Sequence, residues 1–275
     1  MRCGSDGRSN VTGSPDAEAG RAGRRPRLLH HREVPGTTLL RLGGDLPRFV
    51  ATRRRAPEVR VQLDGTSTLG HLVESTGVPL PEVGALLIDG ARVTAGHRPV
   101  DGSTVDVEPV RRPQPLPTTP PRFLLDVHLG GLARRMRVLG LDTAYSNDAG
   151  DSELAQRAAA DARILLTQDL GLLRRRAVPH AAYVRGSRTA DQLADLLDRF
   201  APPLAPYTRC TACNGHLHPV RKEEVADRLR PGTRRTYEEF SRCGRCGQVY
   251  WRGAHARALD AVVRAAGTTP GRGRA

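Results

Sequence analysis

Four cysteines stand in two close pairs, Cys210-x-x-Cys213 and Cys243-x-x-Cys246, with 29 residues between the pairs. Each pair supplies two thiolates from one turn, and two pairs complete the tetrahedral shell of a structural Zn²⁺. Four thiolates leave no open position, which points away from a catalytic ion. A lone redox CxxC does not fit a chain with two pairs. Gly215 lies just past the first pair, and Gly244 and Gly247 lie in and just past the second. Glycine there lets backbone N–H groups turn toward the sulfurs. His216, His218 and His255 are spare ligand candidates that read more simply as surface or packing residues, and Cys3 as incidental.

The second chemical set is acidic. Asp126 ends the apolar run RFLLDV (122–127), and Asp169 follows RILLT (163–167). Between them lies Asp148-Ala-Gly-Asp151-Ser-Glu153, at the start of a helical pattern. In open parallel sheets, catalytic and ligand groups collect at the carboxyl ends of the strands. Carboxylates converging on one edge repel each other unless a divalent cation neutralises them, and Mg²⁺ or Mn²⁺ suits an all-oxygen set. Such an ion activates water and stabilises the leaving oxygen of a phosphodiester. Asp148 or Asp151 also suits a helix cap, and Glu153 a first-turn charge on the helix dipole. Arg134, Arg135 and Arg137, then Arg174 to Arg176, flank the acids. They read either as solvated helix faces or as phosphate ligands.

The elements that must hold these residues follow from periodicity. Thr37–Leu42, Glu58–Leu63, Ala85–Asp89 and Thr104–Val110 read as strands, with a short helix opened by Thr68 and running to Thr76. Asp89-Gly90 is a hairpin signal. This α+β order over residues 37–110 resembles the ubiquitin-like β-grasp fold. Residues 111–121 hold five prolines and read as a stiff, extended linker. Residues 122–206 alternate strand and helix: strands at 122–127, 143–146, 163–167 and 181–185, helices at 129–139, 152–162, 170–176 and 189–200. That alternation predicts an α/β parallel sheet. Residues 207–266 hold the paired cysteines and a closing helix, and 267–275 a loose tail. Residues 1–35 are rich in Gly, Ser, Arg and Pro and read as a disordered leader.

The chain has 275 residues and a formal net charge of +14. Only Lys222 among its 43 basic residues is lysine, so part of the charge reflects a coding bias toward arginine. Its distribution says more: residues 207–275 carry 14 basic and 6 acidic residues, whereas 114–206 carry 12 and 10. A basic handle beside an acidic centre suits an enzyme of nucleic acid. No apolar stretch reaches 18 residues and none near the start suits a secretory signal, so no membrane span is expected and a cytoplasmic location is.

The stretches FLLDVHLGGLARRMRVLG (123–140), NDAGDSELA (147–155), RILLTQDLGLLRRR (163–176) and CTACNGHLHPV…RCGRCGQVYWRG (210–253), with KEEVADRL (222–229), resemble the mutator-seven C-terminal RNase family. The resemblance implies a PIN-like nuclease fold with an appended zinc ribbon, preceded by a ubiquitin-like domain. It also implies metal-dependent cleavage of RNA, with Asp126, Asp151 and Asp169 as metal-site acids. The chain departs from wider PIN nucleases at Arg185-Gly186-Ser187, where those place another acid; here Asp191 comes later. The β-grasp block runs through Val110-Arg111-Arg112 into the linker with no free Gly-Gly end, which excludes sulfur-carrier chemistry.

Three function classes follow. The leading one is a metal-dependent endoribonuclease, with RNA as substrate and the β-grasp block docking RNA or a protein partner. The rival is a non-catalytic RNA- or ribosome-binding adaptor on a degenerate PIN-like fold. The third, a toxin-like PIN protein, fits poorly with a fused N-terminal block.

Overall fold

The computed structural model describes residues 36–51, 55–252 and 256–267, with no side-chain description for 256–259. The readings of a leader at 1–35, of Cys3, of His255 and of the tail beyond 267 lie outside the described residues.

The first sheet is built from β1 (Thr37–Leu42), β2 (Glu58–Gln62), β3 (Val83–Ile88), β4 (Ala91–Val93) and β5 (Thr104–Pro109). Its order is β2-β1-β5-β3-β4, with β1 and β5 parallel and the other pairs antiparallel. Helix α1 (Leu69–Thr76) packs on one face, as a β-grasp requires. Thr68 caps it, accepting from the His71 N–H at 3.4 Å. Alternate residues Leu40, Leu42, Val105 and Val107 join Leu69 and Val73 in the core. Strand β4 follows directly from the Asp89-Gly90 turn, where both residues take positive φ.

The second sheet contains β6 (Arg122–Leu125), β7 (Asp142–Tyr145), β8 (Ile164–Thr167) and β9 (Ala181–Tyr183), all parallel, in the order β7-β6-β8-β9. Helices α2 (Gly130–Val138), α3 (Asp151–Ala160), α4 (Leu170–Leu173) and α5 (Thr189–Phe200) connect and cover it. Phe123 and Leu125 face α2 and α5, while Leu124 faces α3 and α4. Both faces are therefore dry, which is why β6 and β8 read as unbroken apolar runs. The chain leaves β6 toward β7 on one side and returns to β8 on the other. That reversal creates a switch point between β6 and β8, where open α/β sheets bind ligands.

The third sheet is antiparallel: β10 (Leu217–Val220), β11 (Phe240–Cys243) and β12 (Val249–Trp251). A short helix α6 (Pro231–Thr236) lies between β10 and β11. The closing helix α7 (Ala256–Gly267) returns to the parallel sheet, where Val262, Val263 and Ala266 pack on its core.

Both edges of the parallel sheet are covered by the flanking segments. At β9, Glu82 from the 3-10 turn Leu80–Glu82 accepts the Tyr183 N–H at 2.8 Å. At β7, Asn214 from the first cysteine knuckle accepts the Thr143 N–H at 2.9 Å. Covered edges cannot template pairing with another chain. The proline-rich stretch 111–121 is anchored to α5 near its start. Arg112 pairs with Asp195 at 2.7 Å and Asp198 at 2.9 Å, and Gln114 accepts from Arg199 at 2.8 Å. Among the described residues no helix is long and apolar enough to cross a membrane.

Candidate active site and metal centre

The cysteine centre is assembled by two turns. The first knuckle precedes β10, and the second lies at the end of β11, with Cys243 its last residue. Cys210 Sγ lies 3.6 Å from Cys246 Sγ, and Cys213 Sγ 3.4 Å from Cys243 Sγ, with all four sulfurs within 4.8 Å of one another. Four sulfurs at about 2.3 Å from a zinc ion would stand about 3.8 Å apart, so the donor set fits Zn²⁺ in type, number and spacing. The N–H groups of Arg245 and Cys246 point at Cys243 Sγ, at 3.4 and 3.5 Å. Gly215 must be glycine, because a Cβ there would stand 2.8 Å from Cys243 Sγ. Burial pushes the Cys210 thiol up, but the Tyr250 hydroxyl at 3.0 Å and the N–H groups of Cys213 and Ala212 outweigh it and hold it at about 7. Burial and the neighbouring sulfurs push Cys213 up to about 12. Thiols this close cannot all ionise until a cation joins them. His216 and His218 stay outside the set.

The acidic residues fall into two groups. Strands β6 and β8 pair with Leu125 opposite Leu166, so Asp126 and Thr167 leave the sheet side by side at the switch point. Asp126 is only 6% exposed. Its Oδ1 accepts the Val127 N–H at 2.6 Å, and its Oδ2 accepts the Thr167 hydroxyl at 2.7 Å. The same Thr167 oxygen accepts the Asp169 N–H at 2.9 Å. Asp169 then caps α4 through Oδ1, which accepts from Gly171 at 2.6 Å and Leu172 at 3.2 Å. Thr167 thus ties the two acids to one spot. Gln168 spans to the next strand end, donating to the carbonyls of Val184 and Gly186 at 2.9 and 2.8 Å.

Asp151, Asp148 and Glu153 are not drawn into this spot. Asp151 opens α3 and pairs with Arg175 at 3.2 Å, Asp148 accepts from the Ser146 hydroxyl, and Glu153 pairs with Arg157 at 3.6 Å. Gly150, not either aspartate, is the N-cap of α3. Among the described residues, the four cysteines are the one group of three or more potential ligands gathered within metal-binding range.

The flanking arginines divide similarly. Arg137 is buried and donates to the carbonyls of Thr143, Thr211 and Ala212 at 2.9–3.0 Å, which locks the first knuckle to β7. Arg174 donates to the Gly77 carbonyl of the β-grasp at 2.7 Å. Arg134 remains exposed.

Sequence reasoning gave Thr167 and Gln168 no role, although both stand in the LTQD run. It also missed Glu82, which is fully buried against Arg199 at 2.7 Å and Arg185 at 3.1 Å. Arg185, just past the end of β9, pairs with Glu82 and with Asp45 at 2.7 Å.

Residues 121–263 match the Mut7-C RNAse domain and residues 37–115 the Mut7-C ubiquitin domain. No curated protein and no solved structure gives a match. With a β-grasp segment, a parallel sheet and a four-cysteine centre in that order, the chain belongs to the Mut7-C RNAse domain family.

Proposed function

We propose that the chain is a metal-dependent endoribonuclease whose cutting site is the switch-point edge formed by Asp126, Thr167 and Asp169. The observation that carries this reading is the buried Asp126 carboxylate, joined to Asp169 through one threonine hydroxyl. Mg²⁺ needs only one or two protein carboxylates when waters and substrate phosphates fill its other positions. Asp126 and Asp169 meet that need, and Asp169 Oδ2 makes no hydrogen bond among the described residues. Bound there, Mg²⁺ or Mn²⁺ supplies charge neutralisation and a reactive water for attack on phosphorus. Thr167 fixes the orientation of Asp126 and holds the start of α4, so the two carboxylates keep their relative places. Asp151 joins the set only on leaving Arg175, which makes it an accessory ligand.

The cysteine centre holds a structural zinc ion, and the basic C-terminal module holds RNA. The ubiquitin-like segment belongs first to the nuclease fold, since Glu82 closes the β9 edge, and its outer surface serves a protein partner. A cytoplasmic location suits a thiolate zinc site, which needs reduced cysteines.

Arg185 at the fourth strand end, in place of an acid, favours the second reading, an RNA- or ribosome-binding adaptor. Incubating zinc-loaded protein with a panel of structured and single-stranded RNAs, with Mn²⁺ and with EDTA, separates the two. The nuclease reading expects Mn²⁺-dependent fragments; RNA bound but intact across the panel would favour the adaptor.

A further inference from the structure

Two cavities open side by side between the parallel sheet and the first cysteine knuckle. The larger, about 590 Å³, is bounded by Arg157, Arg163, Asn214 and Arg245. The smaller, about 360 Å³, is bounded by Gly130, Arg134 and Thr211. Arg137, Tyr145 and Ala212 line both, so the two form one groove. We propose that this groove binds the phosphodiester backbone of single-stranded RNA and leads it to Asp126. The proposal rests on the ribonuclease reading and adds the path the substrate takes.

The groove leads to the right place. The Tyr145 hydroxyl donates to the Val127 carbonyl at 2.8 Å, and the Val127 N–H binds Asp126. Gly130, at the near end, opens α2 directly after the turn that Asp126 caps. Each cavity is of a size that takes about one drug-sized ligand. That suits a short run of nucleotides in a single strand.

The charge of the groove also fits. Its lining holds five arginines against one carboxylate, Asp161. Not all five are free for a ligand. Arg163 is paired with Asp142 at 2.7 Å and Asp161 at 3.3 Å. Arg137 is buried and its bonds go to carbonyls; it offsets the net negative charge that four thiolates and Zn²⁺ carry together. Three guanidiniums remain on the walls. Arg134 is exposed, with no hydrogen bond or ion pair among the described residues. Among the described residues Arg157 has only the loose side-chain contact to Glu153 at 3.6 Å. Arg245 is exposed and holds the Cys213 carbonyl at 3.3 Å through one nitrogen. Arginine forks bind phosphate oxygens in pairs, and three of them match about three successive phosphates.

The other large concavity of the ribbon is a weaker fit. It is about 800 Å³, holds Trp251 and Tyr250, and carries Glu238 and Glu239 on its rim. Trp251 is the only tryptophan of the chain, so bases stacking there would quench its fluorescence.

The test measures binding apart from cutting. Anisotropy of a labelled single-stranded RNA is followed against salt without Mn²⁺, for zinc-loaded full-length protein and for a triple variant, Arg134→Gln, Arg157→Gln and Arg245→Gln. Losing three phosphate contacts should flatten the log–log salt slope by about 2, at about 0.7 per phosphate. Affinities that converge near 1 M salt then differ by about a hundredfold at 0.1 M. Zinc content and the unfolding curve should match the parent; if Arg245→Gln alone lowers zinc content, the Arg134→Gln, Arg157→Gln pair carries the test, with a slope change of about 1.4. An unchanged slope in the triple variant, or equal quenching of Trp251 by RNA in parent and variant, would overturn the groove. A parent that binds through the groove but cuts no RNA with Mn²⁺ would sustain the groove and sink the ribonuclease reading.

Discussion

Glu82 offers the most direct probe of how the ubiquitin-like segment is joined to the parallel sheet. It is 0% exposed, and Arg199, its partner at 2.7 Å, is 1% exposed. Replacing Glu82 with Ala would strip three groups of an acceptor: Arg199, Arg185 and the Tyr183 N–H. They are not equally hurt. Arg185 keeps Asp45 at 2.7 Å and has Asp195 at 3.9 Å. Among the described residues Arg199 keeps the neutral oxygens of Gln114 and Pro81 and the face of the Phe200 ring, 5.5 Å from its guanidinium carbon, so a buried cation is left without a counter-charge. Breaking a buried pair in this way costs about 3–5 kcal/mol. The lost Tyr183 acceptor overlaps with that figure and is not added to it. The folded-to-unfolded ratio should fall by about two to four orders of magnitude. Urea unfolding of zinc-loaded protein, followed by circular dichroism and by Trp251 fluorescence, reads the change. The double change Glu82→Leu with Arg199→Met should recover most of the loss, because apolar groups of similar size replace buried pairs at little cost. A Glu82→Ala loss below about 1 kcal/mol would place the pair in the class of solvated surface bridges and refute the argument.

Three further outcomes follow from other parts of the molecule. Cys243→Ser should lose the zinc and unfold the ribbon, since structural zinc contributes about 10–16 kcal/mol of apparent binding energy coupled to folding; metal analysis of the variant checks it, and a parent purified without chelator that contains no zinc would reject the assignment. Burial pushes the Asp45 carboxyl up, but Arg185 and Arg48 outweigh it and hold it below the usual range. Its stabilisation is therefore complete above the unfolded value near 3.9 and fades as pH falls through the lower folded value, so parent and Asp45→Asn should differ in melting temperature at pH 7 and converge in strong acid. Gly140→Ala places a Cβ 1.9 Å from the Ala205 carbonyl at φ +80, and should cost at least about 2 kcal/mol in denaturant unfolding.

The strands and most helices were legible because their apolar periods are strong: the sequence range 189–200 coincides with α5, and the runs at β6 and β8 lie within a residue or two of their observed ends. Strand β4 is three residues long with no buried side chain, so it carries no hydrophobic signal. The cysteine centre was legible because its ligands pair locally. The joint between segments was not, because Glu82 and Arg199 lie 117 residues apart and nothing in a single sequence pairs them. Arg137 looked like one of a solvated run, yet it falls four residues after Ala133, on the buried side of α2. The stretch 111–121 looked like a spacer from its prolines, but Arg112 and Gln114 tie it to α5. Asp126 and Asp169 are brought near each other by Thr167, whose buried hydroxyl could not be read from its position in an apolar strand.

The central claim is that RNA is cut at the edge where Asp126 and Asp169 meet. The decisive measurement is single-turnover cleavage with Mn²⁺ by the parent and by Asp126→Asn, beside the affinity of each for the same RNA. Asparagine keeps the size of the side chain and removes the negative charge that holds a cation. Cleavage should fall by at least about a hundredfold, the low end of what an acid–base or charge-stabilising group contributes. RNA affinity should hold or rise, because repulsion of phosphate is relieved. Metal-dependent cleavage that persists at the parent rate in Asp126→Asn, with zinc content and folding intact, would contradict the account.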